Sequence, residues 1–118
     1  MAQVAITCNG SESGSVYPAL ILGSAAAALG DDVVLFFTPA AAPALVTGEL
    51  EKMRGAKGLP DIIDLYESFL GLRGTVYACE LALAAKDLTP GAFRAGVEVV
   101  GVTTFLSRAR DATLTFSF

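Results

Sequence analysis

The first eight residues, Met1–Cys8 (MAQVAITC), place Val4 and Ile6 in a β-branched alternating run, which predicts a strand ending near Cys8. Asn9–Ser15 (NGSESGS) is turn chemistry with several possible helix caps. The apolar stretch behind it predicts a helix from about Gly14 to Leu29, with Pro18 confined to the first turn and Gly30 as the left-handed stop. Asp32–Thr38 (DVVLFFT) is continuously apolar rather than alternating, as a strand buried on both faces of a parallel sheet must be.

Further along, Pro39–Thr47 holds a short helical turn after Pro43, and the charged, glycine-rich Gly48–Gly58 reads as an exposed mobile loop. Pro60 opens a helix in which Ile62, Ile63, Tyr66, Phe69 and Leu70 recur at helical spacing until Gly71 or Gly74. Thr75–Cys79 is a third strand, Glu80–Lys86 a helical run, and Thr89-Pro90 the start of a short helix that Gly96 ends. Val97–Val100 is a fourth strand, Gly101–Arg110 a last helix, and Thr113–Phe118 a fifth strand placed at an edge. Strands alternating with helices imply an α/β three-layer sandwich: a mostly parallel five-stranded sheet with helices on both faces, in one domain spanning residues 1–118.

Composition narrows what such a sheet does. The 118 residues are 53% hydrophobic and 17% charged, which excludes disorder. Twelve acidic against eight basic residues give a net charge of −4, so no basic footprint for nucleic acid is present. The two long apolar stretches, Val16–Leu29 and Val33–Val46, fall short of the ~20 residues needed to cross a bilayer. Together with the missing basic start, this predicts a cytoplasmic protein without a membrane span. There is no histidine. That removes Ser-His and Cys-His nucleophile pairs and histidine-bearing metal helices, and no metal or cofactor is expected.

Candidate chemistry then rests on two cysteines. In a parallel sheet, ligands bind beyond the carboxyl ends of the strands, and Cys8 and Cys79 are both predicted there. Cys79 precedes a helix-forming run, and helix-terminal N–H groups favour thiolate over thiol. Lys52, Arg54 and Lys57 would assist if their loop folded over the site, whereas Glu80 works the other way. The Asn9–Ser15 loop, with Asn9, Gly10 and Ser11, offers backbone N–H groups to an anion but lacks any phosphate-loop motif. Gly101, at another strand end, permits close approach of a ligand. Buried free cysteine is also a common small hydrophobe, so both thiols have a purely structural reading.

The motifs T-C-N-G-S-E (Thr7–Glu12), D-V-V-L-F-F-T (Asp32–Thr38), V-Y-A-C-E-L-A-L (Val76–Leu83) and G-V-E-V-V-G-V-T-T-F-L (Gly96–Leu106) together resemble the DsrE/DsrF-like family. The resemblance implies a small α/β domain assembled as a trimer or hexamer. It also implies sulfane-sulfur relay on a cysteine at the position of Cys79, between donor and acceptor proteins. Members often carry an Arg-Gly pair a few residues beyond that cysteine, where this chain has Lys86-Asp87-Leu88.

Three functions compete at this level. In the first, Cys79 is a persulfide carrier, with Cys8, Asn9, Gly10, Ser11, Glu80 and Gly101 around its substrate. In the second, the protein is a non-catalytic binder of a small anion or nucleotide at the Asn9–Ser15 loop. In the third, Cys8 and Cys79 form a redox-sensing disulfide, which requires their Cα atoms about 4.4–6.8 Å apart. Self-association is expected in each case, because the Val16–Leu29 helix has no polar face and Phe116 and Phe118 add apolar surface.

Overall fold

Side chains alternate across a strand, so a chain of short β-branched runs buries two different sets of residues on the two sides of one sheet. The computed structural model describes all residues, Met1–Phe118. Its strands are β1 (Gln3–Cys8), β2 (Asp32–Phe37), β3 (Thr75–Cys79), β4 (Val97–Val100) and β5 (Leu114–Ser117). They form one sheet in the order β4-β3-β2-β1-β5, and every neighbouring pair is parallel. The helices are α1 (Ser13–Ala28), α2 (Ile62–Gly71), α3 (Leu81–Ala85) and α4 (Val102–Ala109). The expected layered architecture is therefore present, with the sheet wholly rather than mostly parallel.

One face carries the main core. Val4, Ile6, Cys8, Val33, Leu35, Phe37, Val76 and Ala78 project into it and meet residues of α1, α2 and α3. Full burial of side chains such as Ile6, Leu35, Phe37 and Phe69 contributes roughly 1.5–3 kcal/mol apiece. Gly23 lets α1 settle closely, since a Cβ there would stand 3.1 Å from Leu35 and 3.3 Å from the Phe69 ring. Two hydrogen bonds fix α1 against the α2 region: the Tyr17 hydroxyl donates to the Pro60 carbonyl (3.0 Å) and the Ser24 hydroxyl to that of Leu65 (3.2 Å).

The opposite face is built differently. Ala5, Val34, Phe36, Tyr77 and Cys79 form a small apolar cluster closed by a single helical side chain, Phe105 of α4. The Phe105 ring stacks on Phe36 with centroids 4.3 Å apart and planes 12° from parallel. Helix α4 starts just beyond β4 and runs back across this face, and its Arg108 pairs with Asp32 at the opening of β2 (2.6 Å). Three helices thus cover one face and one helix covers the other.

Several local expectations are revised. Pro18 lies inside α1 rather than in its first turn, because the helix begins at Ser13. The carbonyl its ring leaves unpaired belongs to exposed Gly14, where no side chain crowds the turn. The Gly48–Gly58 segment is anchored by a 3-10 turn, Leu50–Met53, whose Leu50 is wholly buried. The segment after Thr89 makes only a 3-10 turn, Pro90–Ala92, and then runs extended. There it pairs with the chain after Leu45: Arg94 N–H donates to the Leu45 carbonyl, and Thr47 N–H to that of Ala92. No helix is long and apolar enough to cross a membrane.

Candidate functional site

Parallel strands present their carboxyl ends along one edge, and that edge collects the residues singled out from the sequence. Their side chains do not converge on one place. Cys8, in register with Phe37 of β2, belongs to the main core, whereas Cys79 belongs to the cluster on the other face. Phe37 in turn is in register with Ala78, so two strand spacings, about 10 Å, separate the cysteines as well. That exceeds the Cα separation a disulfide tolerates. A Cys8–Cys79 redox pair is thereby excluded, and Cys8 is not a neighbour of whatever Cys79 binds.

Cys8 is 1% exposed, and its thiol donates to the Gly10 carbonyl at 3.4 Å. Burial, with a further contribution from the Glu12 carboxylate, pushes this thiol up to about 11, which keeps it protonated and unreactive at neutral pH. The expected anion cradle at Asn9, Gly10 and Ser11 is also spoken for. Asn9 N–H donates to the Phe118 carbonyl at 2.8 Å. The Glu12 carboxylate lies against Gly10, where a Cβ would otherwise be, and accepts from the Ser15 hydroxyl at 2.9 Å. An incoming anion would meet that carboxylate first, so the loop's own chemistry disfavours the anion-binding reading.

At the other location, Cys79, Glu80 and Gly101 do come together. Cys79 ends β3 in register with Val100, and Glu80 N–H donates to the Val100 carbonyl at 2.9 Å. Gly101 caps the start of α4, and its missing side chain leaves room for the Glu80 carboxylate, 3.0 Å from where a Cβ would stand. Although it stands at the strand end where ligands bind, Cys79 is itself buried, 1% exposed. Its side chain falls on the sheet face that the Phe105–Phe36 stack closes. The helix after it is short, beginning at Leu81 and spanning five residues. The loop that carries Lys52, Arg54 and Lys57 is anchored by Leu50 on the opposite core, and at its surface Arg54 pairs with Asp61 (2.8 Å) and Lys52 with Glu49 (2.6 Å).

The sequence pattern alone did not reveal a depression between Tyr77 and α4, which Cys79 does not itself line. Tyr77, two residues earlier on β3 and on the same face, lines with Thr103, Thr104, Ser107 and Arg108 an open hollow of about 450 Å³. The signal was present as polar residues at i, i+1, i+4 and i+5 along α4, one side of a helix. A second hollow of about 390 Å³ lies at the opposite, amino-terminal edge among Met1, Asp31, Asp32 and Arg73, remote from either thiol.

Comparison with known proteins bears on this geometry. Among solved structures, the ychN protein of E. coli superposes with a TM-score of 0.80 over 100% of both chains at 20% identity. MTH1491 of Methanobacterium thermoautotrophicum, a protein of unknown function, superposes with a TM-score of 0.66 at 15% identity, covering 98% of this chain and 97% of that one. At these identities the likeness is one of fold. A search of curated proteins finds no match. The model of the DsrE/DsrF-like family, however, matches residues 2–118, which is nearly the whole chain and includes both strand-end cysteines. The chain belongs to the DsrE/DsrF-like family.

Proposed function

We propose that the protein carries sulfane sulfur as a persulfide on Cys79 and passes it to a partner's thiol. The observation that carries this reading is the contrast between the two cysteines. Cys8 is sealed in the main core, while Cys79 ends a parallel strand beneath a single-helix cover, two residues along β3 from Tyr77, which lines an open polar hollow. The family's association with sulfur relay supports it. Cys79 attacks a sulfane sulfur as the thiolate: one S–S bond forms, another breaks, and the shortened donor leaves with the electron pair. No external oxidant is consumed. Because Phe105 closes the cluster, loading requires its ring to swing aside while α4 keeps its place.

The test is intact-mass analysis after incubation with inorganic polysulfide. Wild type and Cys8→Ser should each gain the mass of one or more sulfur atoms, and the gain should vanish on reduction. Cys79→Ser should gain none. Retention of the added mass by Cys79→Ser overturns the reading.

The carrier is proposed to work as a homo-oligomer, a trimer or hexamer, with separate sulfur-donor and sulfur-acceptor proteins. In support, Leu81, Val102 and Leu106 are 61%, 42% and 58% exposed on the elements that flank Cys79.

A further inference from the structure

The hollow along α4 has an orientation relative to Cys79. Helix α4 begins next to the β4 end that is in register with Cys79, and it finishes where Arg108 pairs with Asp32 at the start of β2. Thr103 and Thr104 therefore stand at the thiol's end of the hollow and Arg108 at the far end, one helical turn (~6 Å) further on. Tyr77 also lines the hollow, about 6.6 Å along β3 from Cys79. The lining is rich in donors. Two threonines, a serine and a tyrosine line the space, and Arg108 spends one guanidinium nitrogen on Asp32, leaving further N–H groups for a ligand.

Resting on the persulfide reading of Cys79, we infer that this hollow holds a short organic persulfide bearing a carboxylate or sulfonate at its far end. The anionic tail sits on Arg108 and Ser107, and the sulfur end points along Thr104 toward Cys79. Asp32 already offsets part of the Arg108 charge, so the hollow suits a monoanion better than a dianion. In the transfer step, the Cys79 thiolate attacks the outer sulfur of R–S–SH. The new S–S bond forms as the S–S bond between the inner and outer sulfurs of the donor breaks, R–S⁻ leaves with the electron pair, and the hydrogen stays on the transferred sulfur. Electrons balance without a further reagent.

The test uses the Cys79→Ser protein, which cannot react, titrated with 3-mercaptopropionate while amide resonances are followed by NMR. Shifts centred on Thr103, Thr104, Ser107 and Arg108 are expected, with uncharged 2-mercaptoethanol producing them at least tenfold more weakly. Arg108→Gln should weaken 3-mercaptopropionate about tenfold, the loss of one charge-assisted contact. Asp32→Asn should tighten it several-fold, since the guanidinium is then unopposed. This second variant moves affinity in the direction that a folding defect would not. Absent shifts, shifts confined to the amino-terminal edge, or equal affinity in the two variants overturn the inference. If wild type still acquires sulfur on Cys79 from inorganic polysulfide in that case, the relay stands and only the donor class falls.

Discussion

Cys8 and Cys79 are equally buried, yet burial means different things on the two faces. Cys8 lies in the core that three helices cover, and burial pushes its thiol up to about 11, above the ordinary thiol value of 9.0. A group whose folded pKa is raised stabilises the fold below its unfolded pKa and loses that contribution as pH climbs through the folded value. Between about pH 9 and pH 11 the unfolded chain sheds a proton that the folded chain keeps, so stability falls there. Up to about 1.4 kcal/mol per pH unit is at stake. Urea denaturation at pH 8, 9 and 10 should show this decline in wild type and a shallower one in Cys8→Ala. Equal slopes would mean that the alkaline loss comes from elsewhere. Tyr66, pushed up to about 12 by burial, contributes in the same direction at higher pH and is common to both proteins.

At the level of elements, α4 is the weak point of the architecture. Its one buried side chain is Phe105, and its far end is held by the partly exposed Arg108–Asp32 pair. Such an element opens more readily than α1, which buries six residues. Phe105→Ala removes the stacked ring from the cluster containing Cys79. Alkylation of Cys79 by iodoacetamide should then accelerate by tenfold or more, while Cys8 in the other core stays protected. Acceleration of both thiols alike would indicate general unfolding instead. How far this layout was legible depends on the element. Strands β3 and β4 begin and end where the residue pattern predicts, and α1 stops before Gly30, whose φ of +89° suits glycine. The helix expected after Thr89-Pro90 gave way because that chain found tertiary partners at Leu45 and Thr47. The site was half legible. Strand ends marked Cys8 and Cys79, but which face each thiol took depends on strand register and on the side each crossover helix chose. The hollow beside Tyr77 exists because α4 is alone on its face, a property of the assembled sheet.

For the whole molecule, the uneven covering of the sheet leaves apolar surface that a monomer has no means of hiding. Leu81, Val102 and Leu106 are exposed near the carboxyl end of β3 and β4, and β5 is an edge strand with all four residues exposed. Burial of apolar area at about 25 cal/mol per Å² makes association of such a surface favourable, and charged residues placed on it should reverse that. Light scattering at micromolar concentration is expected to report an oligomer for wild type and a smaller species for Leu81→Glu/Leu106→Glu. Both substituted positions are exposed, so the monomer's core is untouched and far-UV circular dichroism should be unchanged. A wild-type monomer, or a doubly substituted chain that retains full assembly, would refute placement of the interface on this edge. If the interface is there, the exposed apolar residues of α3 and α4 that flank Cys79 lie within it.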